Sequence, residues 1–374
     1  MPTPNNLPAD GVVNLVNELL GKAISRRASD VHFEPGNHEM KVRYRLDGVL
    51  NDVDSLPAAL AENMVARLKV LSGLLTYRTD VPQEGSFPAD SQWEKDGRSL
   101  DIRVATFPTI WGERAVVRLL YSVGTVNELD GLGLPVDLVT DLRRAVEKPH
   151  GLLLVTGPAG SGKSTTLYAL ARYILAKIPG RSVVSLEDPV EQRIEGMTQI
   201  QVSPYGELNY IRAMRSLLRQ DVQVLLVGEI RDAETAHIVV EASLTGHLVM
   251  STLHSGDPAE AIVRLLEMGI APYQLAGAIS VVCSQRLLRT VCKSCGGKGE
   301  CEDCSGIGYL GRTACGQIAV MDETLRQAVL ARRPVGELRR MLNERGSDLA
   351  TDAKRLIEQG RTTIDEVMRV LGAA

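Results

Sequence analysis

The first third of the chain mixes helical and strand patterns. Residues 12–24 place apolar side chains three and four positions apart, which predicts an amphipathic helix with Asp10 as its N-cap. The stretches VHFEP, MKVRYRLDGVL and SLDIRVATFP alternate or run apolar between turn residues, as strands do, and one helix is predicted over 57–75. We therefore expect an α+β domain over residues 10–122, followed by a glycine- and proline-containing linker over 123–135.

The middle of the chain carries short, continuous apolar runs instead. These runs are GLLLVTG, SVVSLEDP, VQVLLVGEI and HLVMSTLHS, and helical patterns such as 165–178 and 233–244 separate them. Strands covered on both faces of a parallel sheet show such runs, and crossover helices connect them. This pattern predicts an α/β domain over 136–290. A cysteine-rich segment over 291–312 and a region of short charged helices over 313–374 follow it.

Length and composition narrow the class of protein. The 374 residues suffice for two or three domains, and 44% apolar with 24% charged residues is ordinary for a globular protein. The formal net charge of −4 provides no basic field for a nucleic-acid partner. The first residues lack a signal-peptide pattern, and no apolar run approaches the ~18 residues that span a bilayer. We expect a cytoplasmic protein that reaches a membrane only through a partner.

The stretch GLLLVTGPAGSGKSTT is the most informative motif. From Gly157 to Ser164 it satisfies G-x-x-x-x-G-K-[ST], between an apolar strand and a helix. Glycines there let successive backbone N–H groups point into one concavity that holds phosphate oxygens. Lys163 is expected on the β- and γ-phosphates of a nucleotide, and the Ser164 hydroxyl on Mg²⁺. The expected nucleotide-binding residues are Gly157, Pro158, Ala159, Gly160, Ser161, Gly162, Lys163, Ser164 and Thr165.

Acidic residues follow two later apolar runs. Glu187, Asp188 and Glu191 end one of them, and Glu229 ends the other. The carboxyl ends of parallel strands meet at the edge that carries the phosphate loop, so these carboxylates can hold the hydration shell of Mg²⁺ or orient the attacking water. The alternative is that they cap the helices that follow.

Two histidines, His247 and His254, flank the apolar run LVMSTL. A histidine at the end of a strand can sense a γ-phosphate by hydrogen bonding. A purely structural role is the alternative for each.

Together these motifs resemble the secretion ATPase superfamily. SLEDPVE, LLRQDVQVLLVGEIRDAETA and ASLTGHLVMSTLHS follow GPAGSGKST in the order of that family's Asp box, Walker B and His box. RASDVHFEP, VRYRLDGVL, VVCSQRLLRTVC and GRTTIDEV extend the resemblance over nearly the whole chain from about residue 14. The branch that it resembles most is the type II secretion and type IV pilus assembly motors. The resemblance implies a PAS-like N-terminal domain, a RecA-like P-loop ATPase domain and a homo-hexamer, without the extra N-terminal domain of longer members.

The resemblance also implies roles for individual residues. Glu187 corresponds to the candidate general base, and Glu229 to the Walker B glutamate that supports Mg²⁺ and the lytic water. His254 belongs to the His box, and His247 to the TGH element beside it.

Arginines of the N-terminal domain are implied as phosphate contacts. Arg103 and Arg118 match such positions, and Arg114 lies nearby. An arginine there would neutralise the charge that develops on the transferred phosphoryl group. The sequence departs from the family pattern at Ser86, where arginine is usual, and at Gln223, where an acid is usual.

The segment CKSCGGKGECEDCSGIG repeats C-x-x-C-x-G-x-G. Its cysteines are Cys292, Cys295, Cys301 and Cys304. Two such knuckles supply four sulfurs to a closed tetrahedral Zn²⁺ site, which has a structural rather than a catalytic role. A disulfide cluster and a redox pair are the alternatives, although a reducing cytoplasm disfavours the first.

The function that these features favour is a cytoplasmic, hexameric ATPase with ATP, Mg²⁺ and Zn²⁺ as cofactors. The resemblance implies that it powers assembly of a pilus or pseudopilus through an inner-membrane platform protein. A retraction, conjugation or DNA-uptake motor is one alternative, and a regulatory scaffold with little turnover is another. Retraction motors typically lack the cysteine cluster, so the cluster favours assembly.

Overall fold

The chain divides into two compact units, Met1–Val123 and Gly124–Ala374. The computed structural model describes residues 9–89, 100–121, 128–203, 206–344 and 348–372.

The first unit is built on a six-stranded antiparallel sheet in the order β3-β2-β1-β6-β5-β4. Its strands are β1 Asp30–Pro35, β2 Glu39–Leu46, β3 Val49–Pro57, β4 Gln83–Pro88, β5 Leu100–Thr109 and β6 Gly112–Tyr121. Its helices are α1 Ala9–Ser25 and α2 Ala61–Leu71. The alternating burial of β2 buries Met40, Val42, Tyr44 and Leu46 on one face of the sheet, as a half-covered antiparallel sheet requires.

Two details of the first unit differ from the sequence prediction. Helix α1 already begins at Ala9, so Asp10 lies inside its first turn and is not the N-cap. The helix predicted over 57–75 is shorter, because a 3₁₀ turn over Ala58–Leu60 precedes α2 and Gly73, with φ of 68°, follows its end.

The second unit is built on a seven-stranded sheet in the order β13-β12-β7-β11-β10-β8-β9. Its strands are β7 Gly151–Thr156, β8 Val183–Glu187, β9 Thr198–Gln201, β10 Val224–Val227, β11 Leu248–Leu253, β12 Ile279–Val291 and β13 Tyr309–Val320. Every pairing in it is parallel except that of β12 with β13. All six residues of β7 are buried, which explains why its apolar run does not alternate.

Ten helices of this unit lie within the described residues. They are α3 Val136–Glu147, α4 Lys163–Lys177, α5 Tyr210–Leu217, α6 Ala233–Leu244, α7 Pro258–Glu267, α8 Pro272–Ala278, α9 Glu323–Leu330, α10 Val335–Asn343, α11 Leu349–Glu358 and α12 Ile364–Leu371. Leu152 and Leu154 join one apolar core, whereas Leu153 and Val155 join another, so the sheet is covered on both faces. The predicted architecture, an α+β domain followed by a P-loop α/β domain, is confirmed.

The segment predicted as a linker lies partly outside the described residues. From residue 128 onward it forms a 3₁₀ turn, Leu129–Leu132, whose leucines are buried in the core of the second unit together with Leu134. This part of the segment therefore packs as a structural element of the second unit. Among the described helices, none combines the length and the apolar character that crossing a membrane requires.

Candidate nucleotide site and metal site

The phosphate loop joins the end of β7 to the start of α4. Gly157, Gly160 and Gly162 have φ of 147°, 74° and 87°, a region of conformational space that favours glycine. A side chain at Gly157 would lie 2.5 Å from the carbonyl oxygen of Gln285, so the strand behind the loop also excludes one. The crest of the loop, Pro158 to Gly160, is exposed and accessible to a ligand.

Lys163 is the first residue of α4 and is largely buried. Its Nζ donates to the carbonyl oxygens of Gly157 at 2.9 Å and Pro158 at 3.0 Å, and no carboxylate within the described part of the chain forms an ion pair with it. Burial lowers the pKa of Lys163, and the charge of Glu229 opposes that shift. The Ser161 hydroxyl beside it is buried and has no hydrogen-bond partner among the residues that the structure describes. A buried cation and an unpartnered donor at one loop fit the binding of an anion.

Glu229 and His254 lie at the same edge of the sheet as the phosphate loop, where the parallel strands end. Glu229 follows β10 and His254 follows β11, and His254 Nε2 lies 3.6 Å from Glu229 Oε2. Burial and the nearby charge of Lys163 lower the pKa of His254, which favours a neutral imidazole. The structure therefore brings Lys163, Glu229 and His254 together, and their catalytic roles stay predictions.

Arg231 is a neighbour that the sequence reasoning missed. Its guanidinium donates to Glu229 Oε1 and lies 3.8 Å from Asp188 Oδ2. The carboxylates facing it, that of Glu229 first, raise its pKa. Helix α6 is capped by Asp232, whose side chain accepts from the N–H of Thr235, so the helix-cap alternative for Glu229 is wrong.

Glu187, the last residue of β8, is 4% exposed. Its carboxylate accepts hydrogen bonds from the Tyr168 and Ser185 hydroxyls and from Gln199 Nε2, the last at 3.2 Å. Burial and the bond to Glu187 raise the pKa of Tyr168, so its hydroxyl remains a donor. No helix begins within the described residues that directly follow Asp188, so the cap interpretation does not hold for this group either. Glu187 is therefore fixed in orientation, and with two donors on Oε1 and one on Oε2 its Oε2 keeps a lone pair that can accept a proton.

His247 does not join this site within its own chain. It precedes β11, where the neighbouring Leu248 is in register with Gly151 at the start of β7. The phosphate loop follows the other end of β7, so His247 lies one strand length away, roughly 20 Å. Its Nδ1 lies 3.1 Å from the carbonyl oxygen of Ala242 instead. The predicted catalytic role of His247 therefore does not fit its position.

Gln285 of β12 contacts the phosphate loop, although the sequence reasoning assigned it no role. Its Nε2 donates to the Ser161 carbonyl at 2.7 Å, and its Oε1 accepts from the Thr166 hydroxyl at 2.8 Å. Arg286 beside it donates to the carbonyl oxygen of Gly256 at 2.8 Å. Local sequence carries no signal for these contacts, because they join segments far apart in the chain.

In the first unit, Arg103 and Arg118 lie in one row across the sheet. Arg103 is directly opposite Ser86 on one side and Arg118 on the other, and Arg118 is directly opposite Asp30. Directly opposite residues share a face, so the expected arginine at position 86 would extend this row. Arg118 Nε lies 3.1 Å from Asp30 Oδ1, whereas within the described residues Arg103 pairs with a carboxylate 3.9 Å away, that of Asp101.

Arg114 lies on β6, as Arg118 does, but its guanidinium is hydrogen-bonded to side chains of β1. Its Nη2 lies 3.0 Å from Glu34 Oε1 and 2.9 Å from His32 Nδ1. Burial and this arginine lower the pKa of His32, so a neutral ring can accept from the guanidinium. Arg114 is thus less available to a ligand than Arg103.

The second departure from the family pattern, Gln223, lies at the edge of the sheet opposite the phosphate loop. It immediately precedes β10, its Oε1 accepts from the N–H of Ser182 at 2.7 Å, and its Nε2 donates to Asp221 at 2.9 Å. Its amide therefore has a structural partner on each side and is remote from the candidate active site.

The tetracysteine cluster caps the β12–β13 hairpin. The Sγ atoms of Cys292, Cys295, Cys301 and Cys304 all lie within 4.8 Å of one another, with close pairs at 3.4, 3.6 and 3.8 Å. Four sulfurs around a tetrahedral zinc ion at about 2.3 Å must be about 3.8 Å apart. All four cysteines are free, so no disulfide is formed. The cluster fits a zinc ion, although only five residues separate the two pairs.

Glycines let the two knuckles approach so closely. A side chain at Gly299 would lie 2.7 Å from the carbonyl oxygen of Gly306, and one at Gly308 would lie 2.6 Å from that of Gly297. The N–H of Gly308 points at Cys304 Sγ, 3.4 Å away. Although desolvation opposes the shift, backbone N–H groups, that of Gly299 first, lower the pKa of Cys295 to about 6. A thiolate, the metal-binding form, is therefore favoured at Cys295. At Cys301 a backbone N–H lowers the pKa, but hydrogen bonds with the neighbouring sulfurs outweigh it and raise the pKa.

Comparison with known proteins places these features in a family. The family model described as type II/IV secretion system protein matches residues 7–369. The type IV pilus assembly ATPase PilB of Thermus thermophilus is 36% identical over 395 residues, which cover 98% of this chain and 44% of that protein. The type II secretion system protein E of Dickeya dadantii is 39% identical over 382 residues, 96% of this chain and 75% of that one. The chain thus spans less than half the length of the first relative.

A solved structure has the same fold. The pilus retraction motor PilT, bound to ADP, superposes with a TM-score of 0.65 at 23% identity, covering 94% of this chain and 95% of that chain.

Proposed function

Because the chain belongs to the type II/IV secretion system protein family, we propose that it is an ATPase that powers assembly of a type IV pilus or a type II secretion pseudopilus. The observation that carries this proposal is the convergence of Lys163, Glu229 and His254 on the phosphate loop. A buried ammonium, a carboxylate and a neutral imidazole at one helix N-terminus are the groups that phosphoryl transfer to water uses.

The residues divide the work as follows. Backbone N–H groups of the loop and Lys163 Nζ hold the β- and γ-phosphates, and Lys163 exchanges its two carbonyl acceptors for phosphate oxygens. The Ser164 hydroxyl and Glu229 would hold Mg²⁺, which supplies charge neutralisation when bound. Glu229 orients the attacking water, and His254 hydrogen-bonds the γ-phosphate. Glu187 takes the proton of that water on the free lone pair of Oε2, while its three donors keep the carboxylate oriented.

The first unit supplies further positive charge in this proposal. Among the described residues, the carboxylate that pairs with Arg103 is 3.9 Å away, farther than the carboxylate that pairs with Arg118, the next arginine in that row. Both would contact the phosphates and stabilise the charge of the transition state, with Arg114 nearby. The working assembly is a cytoplasmic homo-hexamer that acts through an inner-membrane platform protein, without direct contact to nucleic acid. The tetracysteine cluster binds Zn²⁺ and stiffens the hairpin that carries it.

Assembly is favoured over retraction by the comparisons. Identity is 36% and 39% to the assembly ATPase and the secretion protein, against 23% to the retraction motor. Deleting the gene in the organism that makes the protein tests the direction of force. Loss of surface filaments or of secretion supports assembly, whereas accumulation of filaments supports retraction.

The ATPase proposal is tested with two variants and two matched controls. Lys163→Ala and Glu229→Gln should each lower kcat for ATP at least roughly 100-fold, because each removes charge stabilisation at the phosphates. Lys177→Ala, at the exposed end of the same helix, and Glu234→Gln, in the first turn of α6, should hydrolyse ATP like wild type. If wild type and the two site variants share one background rate, the protein is a nucleotide-binding scaffold and the proposal fails.

A further inference from the structure

We propose that Gln285 is a positioning residue that holds the phosphate loop in its anion-binding shape. This inference rests on the proposed nucleotide site and assigns a further residue to it. Gln285 touches no nucleotide in this proposal and acts through the loop that does.

The geometry behind the proposal is a two-sided contact. Gln285 is 1% exposed, and both the nitrogen and the oxygen of its side-chain amide form hydrogen bonds within the second unit. The Nε2 donates to the Ser161 carbonyl at 2.7 Å, and the Oε1 accepts from the Thr166 hydroxyl at 2.8 Å. One side chain is therefore hydrogen-bonded both to the last part of the loop and to the first turn of α4, on either side of Lys163.

The contact fixes the direction of a backbone donor. A trans peptide is planar, so its C=O and its N–H point in opposite directions. Gln285 holds the Ser161 oxygen on the side of β12, and the N–H of Gly162 in the same peptide must point the other way, toward the concave side of the loop. Rotating that peptide would leave the buried Gln285 amide without an acceptor, which is costly.

The surroundings show that the loop is seated against this amide. A Cβ at Gly162 would lie 3.0 Å from Gln285 Nε2 and 3.4 Å from Leu287 Cδ1. A Cβ at Gly157 would lie 2.5 Å from the Gln285 carbonyl oxygen. Gln285 therefore leaves no room for a side chain at two glycine positions of the motif.

The consequence is specific to phosphates. Backbone N–H groups of a phosphate loop contact the β-phosphate of a nucleotide, whereas the adenosine part binds elsewhere. Loosening the loop should weaken binding of ATP and ADP and leave binding of AMP nearly unchanged. A merely structural role would lower stability and affect the three nucleotides alike.

The test measures displacement of a fluorescent ADP analogue from the purified full chain by ATP, ADP and AMP. Gln285→Met keeps the volume and removes both hydrogen bonds, and it should raise the Kd of ATP and ADP about tenfold with AMP within about twofold. Thr166→Val removes one bond and should shift the same two nucleotides about threefold. The double variant should match Gln285→Met alone, since both changes act through one contact.

Gln317→Met is the matched control. Gln317 is a buried glutamine of β13, opposite Ser284, and its amide donates to Asn343 at 3.2 Å rather than to the loop. This variant should bind all three nucleotides like wild type. If Gln285→Met is insoluble, Thr166→Val tests the inference instead: it must weaken binding of ATP and ADP and leave binding of AMP unchanged.

Two results overturn the inference while the proposed function stands. One is a Gln285→Met protein that binds ADP as tightly as wild type does. The other is an equal loss for ADP and AMP together with a lower melting temperature than that of Gln317→Met. If wild type itself binds neither ATP nor ADP, the proposed function fails and the inference fails with it.

Discussion

Charge balance at the phosphate loop depends on few side chains. Burial lowers the pKa of Lys163 and the charge of Glu229 opposes this shift only in part, while burial and the charge of Lys163 lower the pKa of His254. The ammonium donates to two backbone carbonyls, which are weaker partners than an anion. In the proposed function, phosphate oxygens would replace these neutral acceptors with charged ones, which would favour nucleotide binding.

Tyr168 is predicted to orient Glu187 for catalysis. Tyr168→Phe removes the hydroxyl donor and should lower kcat about tenfold, because the carboxylate gains freedom to rotate away from the water. The KM for ATP should stay within about twofold. Steady-state hydrolysis assays measure both constants.

Tyr173→Phe on the same helix is the control for this change. Its hydroxyl donates to Glu147 at 2.8 Å, away from Glu187, and its removal should leave kcat unchanged. Equal kcat values for the two tyrosine variants and wild type would show that Glu187 needs no such orientation.

At the scale of elements, helix α12 is bound to β12 through the carboxylate of one residue, Glu366. Glu366 of α12 accepts from the N–H and the side chain of Arg289 and from the side chain of Arg369. Arg289 also lies 4.0 Å from the centroid of the Tyr309 ring on β13. Desolvation opposes the shift, yet these donors lower the pKa of Glu366 to about 2. The hairpin below the cysteine cluster is thus braced by the C-terminal helix.

This lowered pKa predicts an acid-sensitive contribution to stability. A carboxyl with a folded pKa of about 2 and an ordinary value of 4.5 stabilises the fold above pH 4.5 and loses that effect as the pH falls toward 2. Glu366→Gln should be less stable near pH 7, and its stability should fall less steeply over that window. Melting temperatures across pH 2–7 measure the difference.

The exposed Glu358 of α11 supplies the comparison for this titration. Glu358→Gln should reproduce the wild-type pH profile. A Glu366→Gln profile parallel to wild type over the acid window would contradict the assigned cause.

The β12–β13 hairpin is predicted to carry one zinc ion per chain. Protein purified without added zinc should contain about one zinc, and Cys301→Ser should contain almost none, because three sulfurs leave the tetrahedral site open. Metal analysis of the purified proteins measures this. Cys283→Ala removes a buried thiol outside the cluster and should retain the metal. A zinc content well below one ion per chain in wild type would contradict this prediction.

For the whole molecule, the first unit presents a row of charges on one face of its sheet. Ser86, Arg103, Arg118, Asp30 and Arg45 are in register across five strands. Asp30 is shared by Arg118 and Arg45, with oxygens 3.1 and 3.4 Å from their Nε atoms. At the other end of the row stands Ser86, at the position where the resemblance to the family implies an arginine.

Restoring that arginine is predicted to raise turnover. Ser86→Arg adds a cation directly opposite Arg103, and kcat/KM for ATP should rise severalfold, because the proposed function assigns phosphate contacts to this row. Ser55→Arg, on exposed β3 at the other edge of the sheet, should have no effect. Hydrolysis rates of both variants provide the measurement, and a rise shared by both would indicate a nonspecific effect of charge.

Features that depend on contiguous residues were accessible from the sequence. The phosphate loop, the buried strand β7 and the repeated cysteine knuckles each require particular residue types at fixed spacing, since backbone angles and ligand distances are local properties. The helix predicted over 233–244 has those bounds, because Asp232 is a strong N-cap. Helix α1 was misjudged at its start, since Asp10 satisfies a cap pattern equally well one residue inside the helix.

What the tertiary structure alone decided is which distant segments meet. Ser161 and Gln285 are 124 positions apart, and they touch because β12 is the neighbour of β7 in the sheet. The same strand order places His254 beside Glu229, because β11 is the neighbour of β10, whereas His247 lies at the other end of β11. Apolar patterns specify that strands are buried, but many orders of the strands bury them equally well. The sequence alone therefore determined the chemistry of the loop and of the cysteine cluster, and the order of the strands selected the partners that complete the site.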